Sequence, residues 1–293
     1  MTEAASSPDA SAGRREFPRL LVVGGSDSYG GAGIQADIKT GTLLGVSVSS
    51  VISAITAQNS LGVQAVWPVP KEIVAAQLTS VCENIPPHAV KLGMLCDAPR
   101  TEAVKEAIQR YRLHPVVCDP VLCSTSGRML LDSEGKQSLL SLLPQVFLLT
   151  PNAHEAAELS GRKVRNVEEN LDAGRALLDL GVYAVLLKGG HFEGSVCTDR
   201  LLIPEQADPI LFSAPRIETS NDHGTGCVLS SAIAAELALG KALPKAISEA
   251  RVFLQKALQG AVDVWNGDGR GGMNLRNEQH CGIPSVLIQS GPS

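Results

Sequence analysis

The sequence predicts a single α/β domain whose central sheet is mainly parallel and covered by helices on both faces. Short apolar or β-branched runs alternate with helical patterns along almost the whole chain, and this alternation is typical of βαβ units. The 293 residues contain no internal repeat and no Pro- or Ser-rich linker. One domain over residues 18–265 is therefore favoured over two.

The spacing of apolar residues predicts the individual elements. Residues 19–24 (RLLVVG) form an apolar run that ends in glycine, as a buried parallel strand does. Residues 70–84 place Val74, Leu78 and Val81 at helical spacing. In chain order, the same criteria predict helix 32–44, strand 46–57, helix 70–84, strand 89–92, helix 99–112, strand 116–119, helix 133–143, strand 146–149, helices 154–159 and 167–180, strand 184–188, two strands within 196–217, and helices 226–239 and 244–265.

Composition excludes several classes of function. A net charge of -5 and an aromatic content of 3% argue against nucleic-acid binding. No apolar run approaches the length of about 18 residues that a membrane span needs, and residues 1–17 lack the apolar stretch of a signal peptide. Seven scattered cysteines without a CxxC pair indicate a reduced, cytoplasmic protein. We expect residues 1–17 to be a disordered leader and the polar, Gly-rich residues 266–293 to be a loosely packed extension.

Two polar features follow the first strands. Residues 24–33 hold five glycines, which permit close approach of a ligand, yet match neither GxGxxG nor a Walker P-loop. Asp37 lies one helical turn further on, where an exposed surface carboxylate is the alternative. Gln58 ends a β-branched strand, and its carboxamide suits the paired ring nitrogen and amino group of an aminopyrimidine. A solvated or capping glutamine is the alternative there.

Three further strand ends carry charged groups. Asp119 and Glu155 are acidic residues at neighbouring strand ends, and Mg²⁺ commonly uses one or two carboxylates together with phosphate oxygens. The segment from Asn152 to Glu155 also fits a helix cap with a capping-box acid. Lys188 ends an apolar strand before two glycines, where it could bind a phosphate or be an ordinary surface lysine.

The segment NDHGTGC at residues 221–227 is the strongest motif, because it leads directly into a helix. Backbone amides of a Gly-Thr-Gly turn at a helix N-terminus bind anions. The same helix end is expected to lower the pKa of Cys227, which could then take a proton from an attacking hydroxyl or orient it. A small buried thiol is the alternative. For His154, His191 and His223 we expect turn or capping roles, since their spacing does not suit a metal triad.

Together these motifs resemble the hydroxymethylpyrimidine/phosphomethylpyrimidine kinases of thiamine biosynthesis, within the ribokinase-like superfamily. The resemblance covers residues 20 to about 265 and rests on GSDSYGGAGIQADIKT, ITAQNSLGV, KLGML, CDPVL, LTPNAHEAAEL, LLKGGH and HGTGCVLSSAIAA, in this order. It implies a three-layer α/β/α fold, a site along the carboxyl ends of the strands, ATP and Mg²⁺ as cofactors, and a homodimer.

The resemblance also implies roles for single residues. Gln58 resembles the pyrimidine-binding glutamine, and the other walls or polar contacts of that pocket correspond to Gly25, Asp37, Met94 and Val121. The Mg²⁺ pair corresponds to Asp119 and Glu155, and the nucleotide side to Asn152, Glu155 and Lys188. The anion hole corresponds to Gly224, Thr225, Gly226 and Cys227. Thr125 departs from the family, where many members carry a lysine, so no ATP-contacting lysine is assigned to that loop.

The implied chemistry is two successive phosphoryl transfers from ATP, first to the hydroxymethyl group of 4-amino-5-hydroxymethyl-2-methylpyrimidine and then to the resulting monophosphate. A pyridoxal kinase is the nearest alternative, because relatives of the same architecture phosphorylate vitamin B6. A sugar kinase is disfavoured, since an aspartate is expected at position 227. A non-catalytic pyrimidine sensor is also disfavoured, because the groups that would handle phosphate are all present.

Overall fold

The structure is a computed structural model that describes residues 16–124, 127–204, 206–275 and the backbone of 287–289. Most of the predicted leader and Thr125 lie outside these residues. The strands are β1 (Arg19–Asp27), β2 (Ser47–Asn59), β3 (Gly62–Pro68), β4 (Ala89–Leu92), β5 (Val116–Cys118), β6 (Leu148–Leu149), β7 (Ala184–Leu187), β8 (Val196–Leu202), β9 (Ile210–Pro215) and β10 (Leu287–Gln289). The helices are α1 (Gly33–Leu43), α2 (Lys71–Asn84), α3 (Ala98–Tyr111), α4 (Ser133–Leu142), α5 (Ala153–Ser160), α6 (Val167–Leu178), α7 (Thr225–Ala238) and α8 (Leu243–Gln259), with a short 3₁₀ helix at Leu143–Gln145.

All described strands form one sheet in the order β10-β9-β8-β7-β6-β5-β4-β1-β2-β3. The centre, from β7 to β2, is parallel, whereas β3 and β8–β10 pair antiparallel at the two edges. The predicted mainly parallel α/β sheet is therefore confirmed. The prediction missed β3 and β10, and it extended α8 to residue 265, although the helix ends at Gln259.

Apolar side chains alternate between the two faces of the sheet and so build two cores. In β1, Leu21 and Val23 pack with α2 to α6 on one face, and Leu20 and Val22 pack with α1, α7 and α8 on the other. Helices therefore cover both faces, as a three-layer α/β/α fold requires. None of the described helices combines the length and the apolar character that a membrane crossing needs.

The described residues that directly follow Trp265 are not loosely packed, although the composition of residues 266–293 predicts a loosely packed extension. Residues 266–273, which we call the C-terminal strap, run back across the carboxyl ends of the strands. The backbone N–H of Arg270 donates to the Ser60 carbonyl at 2.9 Å, and that of His223 donates to the Gly271 carbonyl at 3.0 Å. Arg270 also forms a two-pronged ion pair with Asp222. These contacts attach the strap to the β2–β3 hairpin and to the turn that precedes α7.

Candidate active site

A cleft of about 820 Å³ follows the carboxyl ends of the central strands. This is where open parallel sheets bind their ligands, because the loops that follow the strands converge there. All the site residues that the sequence predicts border this one cleft: Gly25, Asp37, Gln58, Met94, Asp119, Val121, Asn152, Glu155, Lys188, Gly224, Thr225, Gly226 and Cys227. They divide into a half around Gln58 and a half around Asp119 and Lys188.

Gln58 lies in a compact polar group that sequence reasoning did not assemble. One end of its amide is 3.0 Å from Nε2 of His223, and the other is 3.3 Å from Oγ1 of Thr56. The same His223 nitrogen is 3.3 Å from Oδ2 of Asp27. His223 does belong to a turn, as predicted, but its ring also reaches the glutamine. Its place directly before Gly224 in the strongest motif was the available signal for this second role.

Asp27 organises the glycine-rich loop at the end of β1. Its carboxylate accepts from the backbone N–H groups of Tyr29 at 2.9 Å, Gly31 at 3.0 Å and Ala32 at 2.8 Å. Burial of Asp27 opposes its ionisation, but the hydrogen bonds from His223 and the backbone N–H groups hold its pKa below the usual value. The loop therefore closes around a buried carboxylate.

Met94 and Gly25 form a wall of the same half. A Cβ placed on Gly25 would lie 3.0 Å from the Met94 sulfur, so the thioether packs directly on the glycine backbone. The Met94 carbonyl accepts from Oγ of Ser53 at 2.6 Å, which fixes the backbone that carries the thioether. Val121 follows Asp119 in the next loop, where its N–H donates to the Asp119 carbonyl at 2.9 Å.

Asp37 borders the cleft from beneath and is completely buried, so the alternative of an exposed surface carboxylate is wrong. Both of its oxygens are 2.8 Å from Nζ of Lys91, and Oδ1 also accepts from Oγ of Ser231 at 2.6 Å. Each oxygen of this carboxylate thus accepts at least one hydrogen bond from a protein group. Burial alone would lower the pKa of Lys91, but the adjacent Asp37 carboxylate raises it, so the lysine is charged. Sequence reasoning missed Lys91, although a lysine inside a short apolar strand was a visible anomaly.

Lys188 joins the two predicted acidic residues in the other half of the cleft. Its Nζ is 2.8 Å from Oδ1 of Asp119 and 3.6 Å from Oε2 of Glu155. Its side chain is only 15% exposed, so it is not an ordinary surface lysine. Burial opposes its charge, but the two carboxylates raise the pKa of Lys188. Two carboxylates therefore share one ammonium group, so the cluster has a formal net charge of minus one when both carboxylates are ionised.

The structure contains the capping box that was the alternative for Asn152 and Glu155. Asn152 Oδ1 accepts from the Glu155 N–H at 2.9 Å, and Glu155 Oε2 accepts from the Asn152 N–H at 2.8 Å. This cap begins α5 and also orients the Glu155 carboxylate toward Lys188. Burial raises the pKa of Glu155, although Lys188 opposes the shift. Glu155 therefore belongs both to the helix cap and to the cluster that it forms with Asp119 and Lys188, which we call the acidic cluster.

The turn before α7 meets this acidic cluster. Gly224 has φ +85°, and a Cβ on it would lie 2.0 Å from the Gly31 carbonyl oxygen. A Cβ on Gly226 would lie 3.1 Å from Asp119 Oδ2 and 3.2 Å from Lys188 Nζ. The glycines therefore bring the first backbone N–H groups of α7 next to Asp119 and Lys188. A helix N-terminus in this position can receive a phosphate.

Cys227 lies in the first turn of α7, but the expectation that its pKa is lowered is wrong. Burial raises the pKa of the thiol to about 11, and the carboxylates of Asp37 and Asp119 add to this effect. Lys91 and a backbone hydrogen bond with Gly33 act in the opposite direction without reversing it. Loss of water around the sulfur outweighs the helix end, so Cys227 is a neutral thiol near pH 7.

Comparisons with known proteins agree with this architecture. A family model described as phosphomethylpyrimidine kinase matches residues 27–273, so the match includes the C-terminal strap. The hydroxymethylpyrimidine/phosphomethylpyrimidine kinase of Rhizobium meliloti (strain 1021) is 45% identical over 253 residues, which are 86% of this chain and 94% of that protein. The thiamine biosynthesis bifunctional protein ThiED of Geobacter sulfurreducens is 44% identical over 260 residues, which are 87% of this chain and 52% of that protein.

Two solved structures are similar over most of their length. The crystal structure of phosphomethylpyrimidine kinase from Clostridium difficile 630 has a TM-score of 0.72 and 39% identity, and covers 82% of this chain and 99% of that one. Pyridoxal kinase from Staphylococcus aureus, in complex with AMP-PCP and pyridoxal, has a TM-score of 0.83 and 26% identity. The match covers 94% of this chain and 99% of that one.

Proposed function

Because the chain belongs to the phosphomethylpyrimidine kinase family, we propose a role for each half of its cleft in the reaction of that family. The enzyme is an ATP-dependent phosphotransferase of thiamine biosynthesis. It phosphorylates 4-amino-5-hydroxymethyl-2-methylpyrimidine to the monophosphate and then to the diphosphate. The observation that carries our assignment is that one cleft holds a carboxamide at one end and the N-terminus of α7 beside a lysine at the other. A helix N-terminus is a suitable place for a phosphate.

The half around Gln58 receives the pyrimidine. The amide offers one acceptor and one donor, which complement the amino group and the ring nitrogen of an aminopyrimidine. Met94, packed against Gly25, supplies an apolar wall for the ring, and Val121 lies on the loop that leads to the acidic cluster. A ring held in this way can direct its hydroxymethyl group toward the turn before α7.

The half around Lys188 receives the triphosphate. The ammonium group and the N–H groups of Gly224 to Cys227 would bind its terminal oxygens and stabilise the charge that spreads over them during transfer. Asn152 begins the helix that carries Glu155 and so fixes this side of the site. Positioning and charge neutralisation account for most of the catalysis of such transfers.

The acidic pair fits Mg²⁺. Asp119 and Glu155 supply carboxylate oxygens, and their shared ammonium group leaves one negative charge uncompensated. Mg²⁺ usually binds one or two carboxylates and completes its shell with water and phosphate oxygens. A bound Mg²⁺ would neutralise phosphate charge and orient the transferred group. Within the described residues, no group of three or more His, Cys, Asp or Glu side chains forms a metal cluster, so the nucleotide would supply further ligands.

Cys227 assists the first transfer by orienting the acceptor. With a pKa of about 11, only about one thiol in 10⁴ is ionised at pH 7, so a thiolate base is scarce. A thiol can still hydrogen-bond the neutral hydroxymethyl group. The proton of the hydroxyl can leave late, to an oxygen of the transferred phosphoryl group, because phosphoryl transfer has a loose transition state. The second acceptor is already an anion and needs no such help.

Phosphorus NMR tests the function directly. The protein is incubated with Mg-ATP and the hydroxymethylpyrimidine, and in parallel with Mg-ATP and pyridoxal. We expect a pyrimidine monophosphate signal that gives way to a diphosphate. Product from pyridoxal alone would move the assignment to vitamin B6 salvage, which the TM-score of 0.83 to a pyridoxal kinase makes the second candidate. Unchanged ATP in both tubes would contradict catalysis and favour a sensor.

We also propose that the enzyme is a homodimer. Ile55 and Trp67 are direct partners across β2 and β3, and they are 45% and 66% exposed. Leu61 at the tip of this hairpin is 68% exposed, and such a cluster is typical of an interaction surface. Light scattering after gel filtration should give twice the chain mass for the wild type and a lower mass for Trp67→Glu. A monomeric wild type would contradict the proposal.

The free thiols among the described cysteines suit the cytoplasmic location that we expect.

A further inference from the structure

The hydrogen bonds around Gln58 conflict when its amide is placed with Nε2 toward His223. In that orientation His223 Nε2 must accept from the amide at 3.0 Å. The same nitrogen is 3.3 Å from Oδ2 of Asp27, and an ionised carboxylate can only accept. One ring nitrogen cannot satisfy both neighbours, because it either carries a proton or does not.

The other end of the amide has the same difficulty. The Thr56 hydroxyl donates to the Ser26 carbonyl at 2.9 Å, and it has only one proton. It therefore cannot also donate to Gln58 Oε1, which lies 3.3 Å away. The oxygen and nitrogen of an amide have almost the same shape, so chemistry must decide between the two orientations.

Turning the amide by 180° removes both conflicts. The Nε2–H of His223 then donates toward Gln58 Oε1 and Asp27 Oδ2 together. At the other end, Gln58 Nε2 donates to the Thr56 hydroxyl, which keeps its own bond to Ser26. We propose that Asp27 and His223 are positioning residues that lock the Gln58 amide with its carbonyl oxygen toward His223.

Asp27 is suited to hold this arrangement. It is 3% exposed and accepts from three backbone N–H groups of the glycine-rich loop, so its carboxylate is charged and fixed. A charged acceptor beside His223 keeps a proton on Nε2. The C-terminal strap holds the backbone of the histidine, since the His223 N–H donates to the Gly271 carbonyl. Neither the ring nor its proton is free to rearrange.

The substrate preference that follows from this arrangement rests on the proposed function. The locked orientation of the Gln58 amide determines which edge of the substrate ring the site accepts. His223 directly precedes Gly224, so the carbonyl end of the Gln58 amide faces the side of the cleft where phosphate is transferred. The hydroxymethyl group must point the same way. The ring substituent next to it therefore meets an oxygen that only accepts hydrogen bonds, and the following ring atom meets an N–H donor.

This pattern selects a hydroxymethylpyrimidine whose amino group is adjacent to the hydroxymethyl group and is followed by a ring nitrogen. The amino group donates to Gln58 Oε1, and the ring nitrogen accepts from Nε2. Pyridoxal places an aldehyde oxygen beside its hydroxymethyl group, and two acceptors would then face each other. A site built to pair with a donor rejects a substrate that lacks it, because its own polar atom remains unpaired. Asp27 thus sets the substrate preference through His223.

Nitrogen NMR of the substrate-free enzyme tests the proton position. The chain has six histidines, and comparison of ¹⁵N-histidine spectra of the wild type and His223→Gln identifies the ring of interest. We expect its Nε2 to carry a proton, whether the ring is neutral or doubly protonated. An unprotonated Nε2 would overturn the inference. This result does not depend on substrate, so it is separate from any failure of the proposed function.

Binding measurements test the route through Gln58. Calorimetry with the hydroxymethylpyrimidine should show about tenfold weaker binding for His223→Leu, which is roughly the effect of one hydrogen bond. His223→Gln, which can donate from the position of Nε2, should recover most of the loss. The preference for the pyrimidine over pyridoxal should fall by a similar factor in His223→Leu. The affinity for AMP-PCP should stay unchanged, which controls for folding.

The Gln58→Ala background completes the test. If His223 acts through Gln58, then adding His223→Leu to Gln58→Ala causes no further loss of pyrimidine affinity. A second tenfold loss in that background would show that His223 acts on its own and would overturn the inference. Failure of the wild type to bind the pyrimidine at all would instead contradict the proposed function.

Discussion

Replacing Lys91 by Met should destabilise the protein more than any change at its surface. Lys91 is 1% exposed and Asp37 is 0% exposed, and the ammonium group contacts both carboxylate oxygens at 2.8 Å. The substitution keeps the length of the side chain but leaves a carboxylate buried without its partner. Breaking a buried ion pair in this way costs about 3–5 kcal/mol of unfolding free energy. With an unfolding entropy of about 2.1 cal/mol/K per residue, that is a fall in Tm of about 5–8 °C for this chain.

Urea denaturation of three variants measures this effect. Lys91→Met should lose about 3–5 kcal/mol. The double variant Lys91→Met/Asp37→Leu should recover most of the loss, since apolar groups of similar volume can replace a buried pair. Lys245→Met is the matched control, because Lys245 pairs with Glu249 at 3.0 Å on α8 but is 64% exposed. It should change stability by less than about 0.5 kcal/mol.

The loss of unfolding free energy in Lys91→Met should depend on pH, and its direction follows from the pKa of Asp37. Burial raises the pKa of Asp37 even beside Lys91, and loss of the ammonium group, which opposes this shift, raises it further above the value in the unfolded chain. The deficit should therefore be small below the unfolded-state pKa, where Asp37 is protonated in both states. It should grow as the pH rises toward the folded-state pKa and be complete above it. A loss below about 1 kcal/mol at neutral pH would refute our description of a dry, charged pair.

Three further predictions concern the cleft and the strap. Cys227→Ala should lower kcat for the first phosphorylation more than for the second, measured with each acceptor separately; equal losses would indicate a structural role. Lys188→Met should weaken AMP-PCP binding at least tenfold in calorimetry, because a charge-assisted contact to phosphate is lost, and unchanged affinity would contradict its role. Gly271→Ala should lower Tm, since its Cβ would lie 1.8 Å from Asn221 Oδ1, whereas a Cβ on Gly190 meets nothing within 4 Å and Gly190→Ala should leave Tm unchanged.

Local patterns were enough to predict most of the sheet and the position of the cleft. Residues at the ends of parallel strands meet at one edge regardless of their separation along the chain, so motifs far apart could be assigned to one site. The strand Gly62–Pro68 escaped detection because its side chains are exposed or only half-buried, which removes the continuous apolar signal of the central strands. The helix α8 was extended too far because Ala261, Val262 and Trp265 continue its apolar pattern beyond Gln259.

The parts that escaped prediction depend on contacts between distant residues. Asp37 was visible as an acidic residue of α1, but its partner Lys91 lies 54 residues further on. The strap has the composition of a loose tail, yet its backbone groups are paired with Ser60, Ser220 and His223. Local rules also predicted the wrong direction for the pKa of Cys227. The helix end is visible in the sequence, whereas the removal of water by surrounding elements is not.

The two buried lysines show how the same residue type can pair within the scaffold in one place and, in our proposal, bind phosphate in another. Lys91 faces a single carboxylate, that of Asp37, and the pair is neutral, enclosed and already satisfied. Lys188 faces the carboxylates of Asp119 and Glu155, keeps 15% of its side chain exposed and lies beside the N-terminus of α7. Its cluster has one negative charge in excess and opens into the cleft. A phosphate with its metal ion brings charge of both signs, and both can pair with the cluster of Lys188, Asp119 and Glu155. The Lys91–Asp37 pair is already neutral and has no group left to pair with such a ligand. The charge balance around each lysine, more than its burial, therefore distinguishes the structural Lys91 from Lys188 in the candidate site.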